Sequence, residues 1–494
     1  MSSTFGNYKI AYSGMRVNQA ALSVVSNNLS NVNTTGYSRQ RISSVEENTV
    51  LTGGQSLGMG SNVQEIARAR DELLDQTYRR QNAKTGYWSV KSGDLEYMQK
   101  ILTEYEADDG TSTDGLQQML ENFFDSWSEL ATDSSSLSSR QVVTDSAVSL
   151  IDTLTQIDGQ LQQLQQDACD RVQEAVDTLN DLAQQVADLN SQIKAAELGG
   201  GEASYLRDQR DSLLDQMSTY ANINVQEHSN GVLQVTIGGV NLVNGDRTKE
   251  LAVTGDGSTT DPLKVQWSGL NQAADITSGT VAAYLEEAQQ TDLAAIDNAT
   301  DIPYAFSTGT LSDINTMRQA LNDLICTLAV AINSLHSSGT DLNGNAGEDF
   351  FTAVDSSQPL SISNIQVNPA LLAEPAKVVA AAGADSGDNT IANQIYELTG
   401  DDLFKFNGAA VDVNTFYESF IGWLGTAGDD ANSSYDTQTT LVDQVDSQRQ
   451  TISAVSMDEE MSNMIMYQNA YNASARVLST IDSLIGDLMD DLGG

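Results

Sequence analysis

Residues 8–25, YKIAYSGMRVNQAALSVV, and residues 461–485, MSNMIMYQNAYNASARVLSTIDSLI, share one rhythm. Tyr8, Tyr12, Met15, Gln19 and Leu22 step by fours and threes, and Val25 and Asn28 extend the line. Met461, Met464, Gln468, Tyr471, Ala475, Leu478, Asp482 and Ile485 alternate in the same way. This is the seam spacing of a coiled coil, written at both ends of the sequence. A second stripe flanks each seam: Ile10, Val17, Ala21 and Val24 at one end, Ala470, Ala473, Val477, Ile481 and Leu484 at the other. A helix apolar over so wide an arc needs more than one neighbour. The ends are therefore expected to pair with each other and then with further copies of the chain.

Between the ends, proline maps the organisation. All five prolines fall between residues 262 and 375, leaving the rest free for long helices. Residues 31–65 look irregular or extended, with a turn at Asn33–Gly36. A helix is expected over Glu65–Glu106, and a shorter one from an N-cap at Thr113 to Leu130. The longest periodic signal covers 140–197, where two successive steps of four around Ala168 make a stutter. A second helix, Ala203 to Tyr220, turns back from it. Ile223–Val225, Val232–Ile237 and Val240–Val243 read as strands, with hairpin signals at Asn230–Gly231 and Asn244–Gly245. Helices resume near Thr280 and at Leu311–Leu335, and the chain closes with helices from Asn414 and from Ala431.

The expected fold is mainly α with inserted β. Long coiled-coil-like helices from both termini pack together, and one or two small β-rich or mixed outer domains hang outward. The expected units are 1–34 with 455–494 as a terminal coiled coil, and 35–220 with 279–341 and 406–454 as a helical body. Residues 221–278 form a β insert, and 342–405 a second mixed insert.

Composition narrows the function. The 494 residues carry 68 acids against 24 bases, a formal charge of −44. Such a surface repels nucleic acid and anionic membrane. The longest apolar run, Ile325–Ile332 broken by Thr327, is far short of a membrane span. The first residues carry no ordinary secretory signal. Cys169 and Cys326 match no metal or redox spacing and read as buried thiols.

Enzyme-like motifs lack their contexts. Gly54-Gln55-Ser56-Leu57-Gly58 fits a hydrolase nucleophile pattern without the strand-to-helix turn that it needs. Its base could only be His228 or His336. The stretch from Asp341 to Gly347 opens like a calcium loop, but has Ala346 at the sharp turn and Thr352 where a bidentate Glu belongs. Arg207, Asp208, Arg210 and Asp211 are expected on an exposed helical arc, in weak local ion pairs. No catalytic residue, cofactor or metal is expected.

Residues 20–40, AALSVVSNNLSNVNTTGYSRQ, resemble the N-terminal pattern of the rod, hook and hook-associated axial proteins of the bacterial flagellum. The resemblance rests on Asn27, Asn28, Asn31, Asn33, Gly36 and Tyr37, with Thr35 where many members carry Pro. Residues 206–215 (LRDQRDSLLD), 333–344 (NSLHSSGTDLNG) running on to Phe350–Phe351, 455–461 (VSMDEEM) and 467–478 (YQNAYNASARVL) look like the hook-associated protein 1 family. The resemblance implies a secreted, extracellular junction protein, exported unfolded through the flagellar channel and polymerising as a ring at the hook end. It implies the hook protein below, a second junction protein above, and an export chaperone on the C-terminal region. Tyr8, Tyr12, Met15, Leu22, Val25, Asn28, Met461, Met464, Tyr471, Ala475, Leu478 and Ile485 are then the expected assembly interface. Another axial subunit, or an adhesion module using the inserts, is the alternative.

The acid-rich surface also predicts salt adaptation. Solubility and melting temperature should both rise from low to high salt; no gain in either would remove that reading.

Overall fold

The computed structural model describes residues 2–47, 49–52, 55–102, 115–228, 232–270, 272–296, 302–306, 308–309 and 311–492. Helix α1 (Ser2–Ser30) leads through a turn into a two-stranded ribbon, β1 (Gln40–Glu46) with β4 (Ser61–Arg68). The ribbon's outer end is β2 (Thr49–Thr52) paired with β3 (Gln55–Gly58). The strand β4 takes the first residues of the helix expected from Glu65. Ile66 lies opposite Ile42 and Ala67 opposite Arg41, so sheet pairing holds this stretch extended. Helix α2 (Glu72–Ile101) starts only after Asp71, whose carboxylate accepts from the backbone N–H groups of Leu73 and Leu74. Residues 103–106 of that expected helix, and the N-cap expected at Thr113, lie outside the described residues.

Helix α3 (Leu116–Thr132) packs on α4 (Leu137–Glu197), and α5 (Ser204–Tyr220) folds back along α4. The stutter in α4 marks a boundary between two cores. Up to Leu164 its apolar line joins a cluster with Trp127, Phe350 and Phe416; from Ala168 onward it joins a second cluster. The layer between them is polar. Buried Gln165 donates to the carbonyls of Glu287 and Gln289 and to Asn315 Oδ1, and Asp158 pairs with Arg318 at 2.7 Å.

The second core lies under a four-stranded antiparallel sheet, β5 (Ile223–Glu227), β6 (Leu233–Ile237), β7 (Val240–Asn244) and β8 (Arg247–Thr248). The pair β9 (Leu251–Thr254) and β10 (Lys264–Trp267) adds to it. Gly245, at φ +64°, makes the β7–β8 turn expected there, while Asn230–Gly231 lies outside the described residues. The sheet's apolar residues Val235, Ile237 and Val243, with Trp267 of the separate β9–β10 pair, share one core with Val172, Val176, Leu179 and Val186 of α4. The β segment thus shares its core with the body helix.

Beyond α6 (Thr280–Glu287) and β11 (Tyr304–Phe306), helix α7 (Asp313–His336) is buried on all sides from Ile314 to Ile332. Lys91 of α2 joins Glu286, Glu287 and Asp313 at 2.5–2.9 Å, tying α2, α6 and α7 together. Residues 342–405 do not hang outward. They hold β12 (Phe351–Thr352), β13 (Gln366–Val367), α8 (Pro369–Ala373), α9 (Thr390–Glu397) and β14 (Phe404–Phe406). Phe351, Ile362, Leu371, Ile395 and Phe404 lie in the first core, packed with the body helices α3, α4 and α7.

After β15 (Ala409–Val411), α10 (Val413–Ser453) runs unbroken through Ala431, where a new helix had been expected. Gly428 lies against Gln99 of α2, so its missing side chain lets the two helices approach. The real break is at Ala454, extended at ψ 150°, before α11 (Met457–Leu492).

Asp323 in α7 is fully buried; Gln319 donates to its Oδ1, and its Oδ2 has no partner among the described residues. Burial pushes its pKa up to about 8. A raised native pKa gives stability that is complete below the unfolded value and lost as pH rises through the native one. Asp323→Asn should therefore flatten the fall in melting temperature between roughly pH 4 and pH 8. At pH 8 it should stabilise by about 1–3 kcal/mol. A variant with an unchanged pH profile would contradict this.

Candidate assembly interface

Helices α1 and α11 lie antiparallel: Asn28 meets Glu460 at one end, and Gly14 lies beside Ser474 further along. The most buried line of α1 is not the Tyr8–Leu22 stripe but its neighbour. Ala11, Ala21, Val25 and Asn28 are buried, in register with Gly14 and Asn18. These small side chains let the axes come close, which Tyr and Met would prevent. On α11 the covered line is Glu460, Met464, Tyr467, Tyr471, Ser474, Leu478, Ile481 and Ile485.

The expected interface residues therefore divide. Val25 and Asn28 are buried, and Tyr8, Met15, Leu22, Met464, Tyr471, Ala475, Leu478 and Ile485 are half-buried. Tyr12 and Met461 remain 44% and 52% exposed. Ile465, Val477 and Leu484 are at least half exposed as well.

The turn after α1 is built around Asn28. Its Nδ2 donates to the Gln40 carbonyl at 3.0 Å and to Glu460 at 3.1 Å. Its Oδ1 accepts from the Tyr37 hydroxyl at 2.8 Å and from Gln40 N–H at 2.9 Å. Both donors and both lone pairs are thus satisfied in a residue only 1% exposed. Asn31 donates back to Asn27, Asn33 sits exposed in the turn, and Gly36 takes φ +80°, a value costly for other residues. Burial, with Asp208 and Glu460 nearby, pushes the Tyr37 pKa up to about 12, so it stays a donor.

The next residues fasten the terminal pair to the body. Arg39 bonds Glu459 and Glu460 of α11 at 2.7–3.0 Å, while its backbone N–H donates to Ser453 at the end of α10. Ser38 donates twice to Asp208 of α5. From there a buried network spreads. Arg68 pairs with Glu202, Asp208 and Asp211; Arg70 with Asp75 and Asp211; Arg79 with Asp211 and Asp215; Arg449 of α10 with Asp75 and Asp215.

The Arg207–Asp211 cluster is thus not the exposed arc expected from sequence. Asp208, Arg210 and Asp211 are buried, with Arg210 reaching Asn190 and Glu227, because β4, α2 and the α4 end close over α5. Burial opposes ionisation of Asp211, yet Arg70, Arg79 and Arg68 outweigh it and hold the carboxyl well below the usual range. The network's stability is therefore present above the unfolded carboxylate pKa, near ~4, and lost as pH falls below it.

The enzyme-like motifs are absorbed by structure. Gly54 lies outside the described residues, and Gln55–Gly58 is strand β3, not a strand-to-helix turn. His336 is buried, with Nδ1 on the Glu348 carbonyl and Nε2 accepting from Val379 N–H; burial lowers its pKa to about 4. Asp341 spends its oxygens on Asn343 and Asn345 of its own loop. Among the described residues no group of His, Cys, Asp or Glu is arranged to hold a metal, and no helix is long and apolar enough to cross a membrane.

Asn28→Ala would strand buried groups of Tyr37, Gln40 and Glu460. It should cost about 1–3 kcal/mol and speed amide exchange in α1 and the 31–40 turn. Unchanged exchange there would refute the role given to Asn28.

Residues 103–351 match the family model of the flagellar hook-associated protein FlgK helical domain. Residues 9–37 match that of flagella basal body rod proteins, and residues 446–491 the C-terminal region of the flagellar basal body rod FlgEFG proteins. The chain is 30% identical to flagellar hook-associated protein 1 of Bacillus subtilis, covering 100% of this chain and 99% of the relative. It is 25% identical to that of Escherichia coli, covering 99% and 100%. The solved flagellar hook junction protein FlgK from Burkholderia pseudomallei shares the fold, with TM-score 0.60 and 15% identity over 78% of this chain and 100% of that one. With 30% identity over the whole length of the Bacillus subtilis relative and a helical-domain match over half of the sequence, the chain belongs to the flagellar hook-associated protein 1 family.

Proposed function

We propose that this protein is a structural subunit of the hook–filament junction. Copies associate in a ring on the distal end of the hook through their terminal helices and give the filament its base. One observation carries the reading: α1 and α11 are held firmly at their body end, yet expose Tyr12, Met461, Ile465, Val477 and Leu484 beyond it. Apolar surface displayed on an anchored helix pair is suited to burial between copies.

In this reading residues 1–34 with 455–494 form the inner tube, and the body and inserts form the outer wall. The hook protein lies below and a second junction protein above. A chaperone covers α11 before export, since the same surface would aggregate if left open. Docking completes the folding of the terminal pair. The subunit has no catalytic activity.

Cells lacking the protein should build hooks without filaments and shed filament subunits into the medium, as seen by electron microscopy and blotting. Deleting residues 1–30 and 460–494 should reproduce that loss. Filaments growing normally on hooks of either strain would end the proposal.

A further inference from the structure

A buried guanidinium in this chain normally faces a carboxylate. Arg39, Arg79, Arg210 and Arg318 are all buried, and each bonds an Asp or Glu at 2.7–3.3 Å. Arg140, near the start of α4, breaks that pattern. It is 2% exposed, and its Nη2 donates to the Ser134 carbonyl at 2.6 Å. Its Nε and Nη1 have no partner among the described residues, so no carboxylate there matches its charge. Burial lowers the Arg140 pKa below its ordinary value, and Asp341 opposes that without forming an ion pair. The Asp341 oxygens are spent on Asn343 and Asn345. A cation taken out of water without a counter-charge is strongly unfavourable.

A second unspent donor lies in the same part of the core. Trp127 of α3 is fully buried, and its indole Nε1–H has no partner among the described residues. Helices α3 and α4 pack together across the short link 133–136, and Trp127 and Arg140 both lie close to that link. His336 of α7 stands beside both. Its ring lies edge-on to Trp127, 6.3 Å between centroids, and the Arg140 charge adds to burial in keeping the imidazole neutral. Both His336 nitrogens are already engaged, by the Glu348 carbonyl and the Val379 N–H, so the ring is a wall and not an acceptor. Phe350, 5.4 Å from Trp127 and from His336, is a second wall.

We propose that Arg140 and Trp127 bind a small monovalent anion of the halide class, chloride or bromide, inside the first core. The unspent groups are N–H donors on a positive charge among aromatic walls, a set that suits an anion. A water molecule would accept those bonds and leave the charge unmatched; a monovalent anion answers both. A doubly charged anion would bring a second unmatched charge into the core. The unfolded chain has no such site, so the anion stabilises the native state by mass action. It fastens the α3–α4 link to the end of α7, and it does not depend on the junction reading.

Thermal unfolding of the purified full-length chain tests it, with sodium chloride exchanged for sodium gluconate, whose anion is too bulky for a core site. Sodium and ionic strength stay constant, so screening of the acidic surface is unchanged. The melting temperature should rise with the logarithm of chloride concentration, and Arg140→Met should abolish the rise. Fluorescence gives an independent readout. Trp127 is sealed from collision, so bromide should quench it saturably, and chloride should reverse the quenching. Trp127→Phe should remove that saturable part and leave only collisional quenching of the partly buried Trp88 and Trp423. A melting temperature indifferent to chloride in the unsubstituted chain would overturn the proposal, as would a chloride dependence that survives Arg140→Met. If Arg140→Met does not fold, Trp127→Phe decides. Losing one hydrogen bond should raise the half-saturating chloride concentration roughly fivefold, and an unchanged value would overturn the site.

Discussion

The structure depends on keeping Asp211 ionised out of water. Three arginines, Arg68 at the end of β4, Arg70 in the link after it and Arg79 of α2, surround one carboxylate on α5, and Arg449 of α10 joins through Asp75 and Asp215. Desolvation of a lone buried charge costs several kcal/mol, so these groups hold position only together. Removing one partner strands the rest, typically at about 3–5 kcal/mol. The point where α1, the ribbon, α2, α5, α10 and α11 converge is therefore a stiff joint. Apolar packing alone would allow the terminal pair to pivot there; directional charge-assisted bonds fix its angle.

The body achieves length without a large single core. One helix, α4, serves two clusters in turn, and the polar layer at Gln165, Asp158 and Arg318 separates them at the stutter. A strict heptad line would keep one face inward throughout. Two consecutive steps of four rotate the apolar line, so that the second half of α4 faces the sheet. On its outer side, Gln163, Gln173 and Gln184 bond Asp167, Asp177 and Asp188 four residues on. These hydrogen bonds support the helix with few bases, as a chain with 24 bases against 68 acids requires.

Where the sequence was legible follows from this. Long periodic helices, the strands at 223–243 and the turn at Gly245 could be read because local pattern and final burial agree. The family turn could be read as a motif, but not as the site where Asn28 makes four hydrogen bonds to Tyr37, Gln40 and Glu460. The buried Arg–Asp network was misread because Arg207–Asp211 looks like any exposed charged arc; only tertiary closure by β4 and α2 distinguishes it. The α1 seam was misread for a related reason. Hydrophobicity favours Tyr12 and Met15, whereas close helix contact favours Ala11, Gly14 and Ala21, and small residues are quiet on any hydropathy scale.

That second misreading carries functional weight. If Tyr12 and Met461 had also lined the intramolecular seam, the terminal pair would have consumed that apolar surface itself. With Ala, Gly and Val on the α1 side of the seam, Tyr12, Met461, Val477 and Leu484 stay at the surface. Anchoring the terminal pair through Arg39 and Asn28 then fixes where that surface points, so the ordering entropy of docking is partly met before a neighbour arrives. Small residues on the α1 side of the seam, larger ones facing them from α11 and charged residues at the base act together. On the junction reading proposed above, a subunit can leave its apolar surface open only if its own fold does not need it.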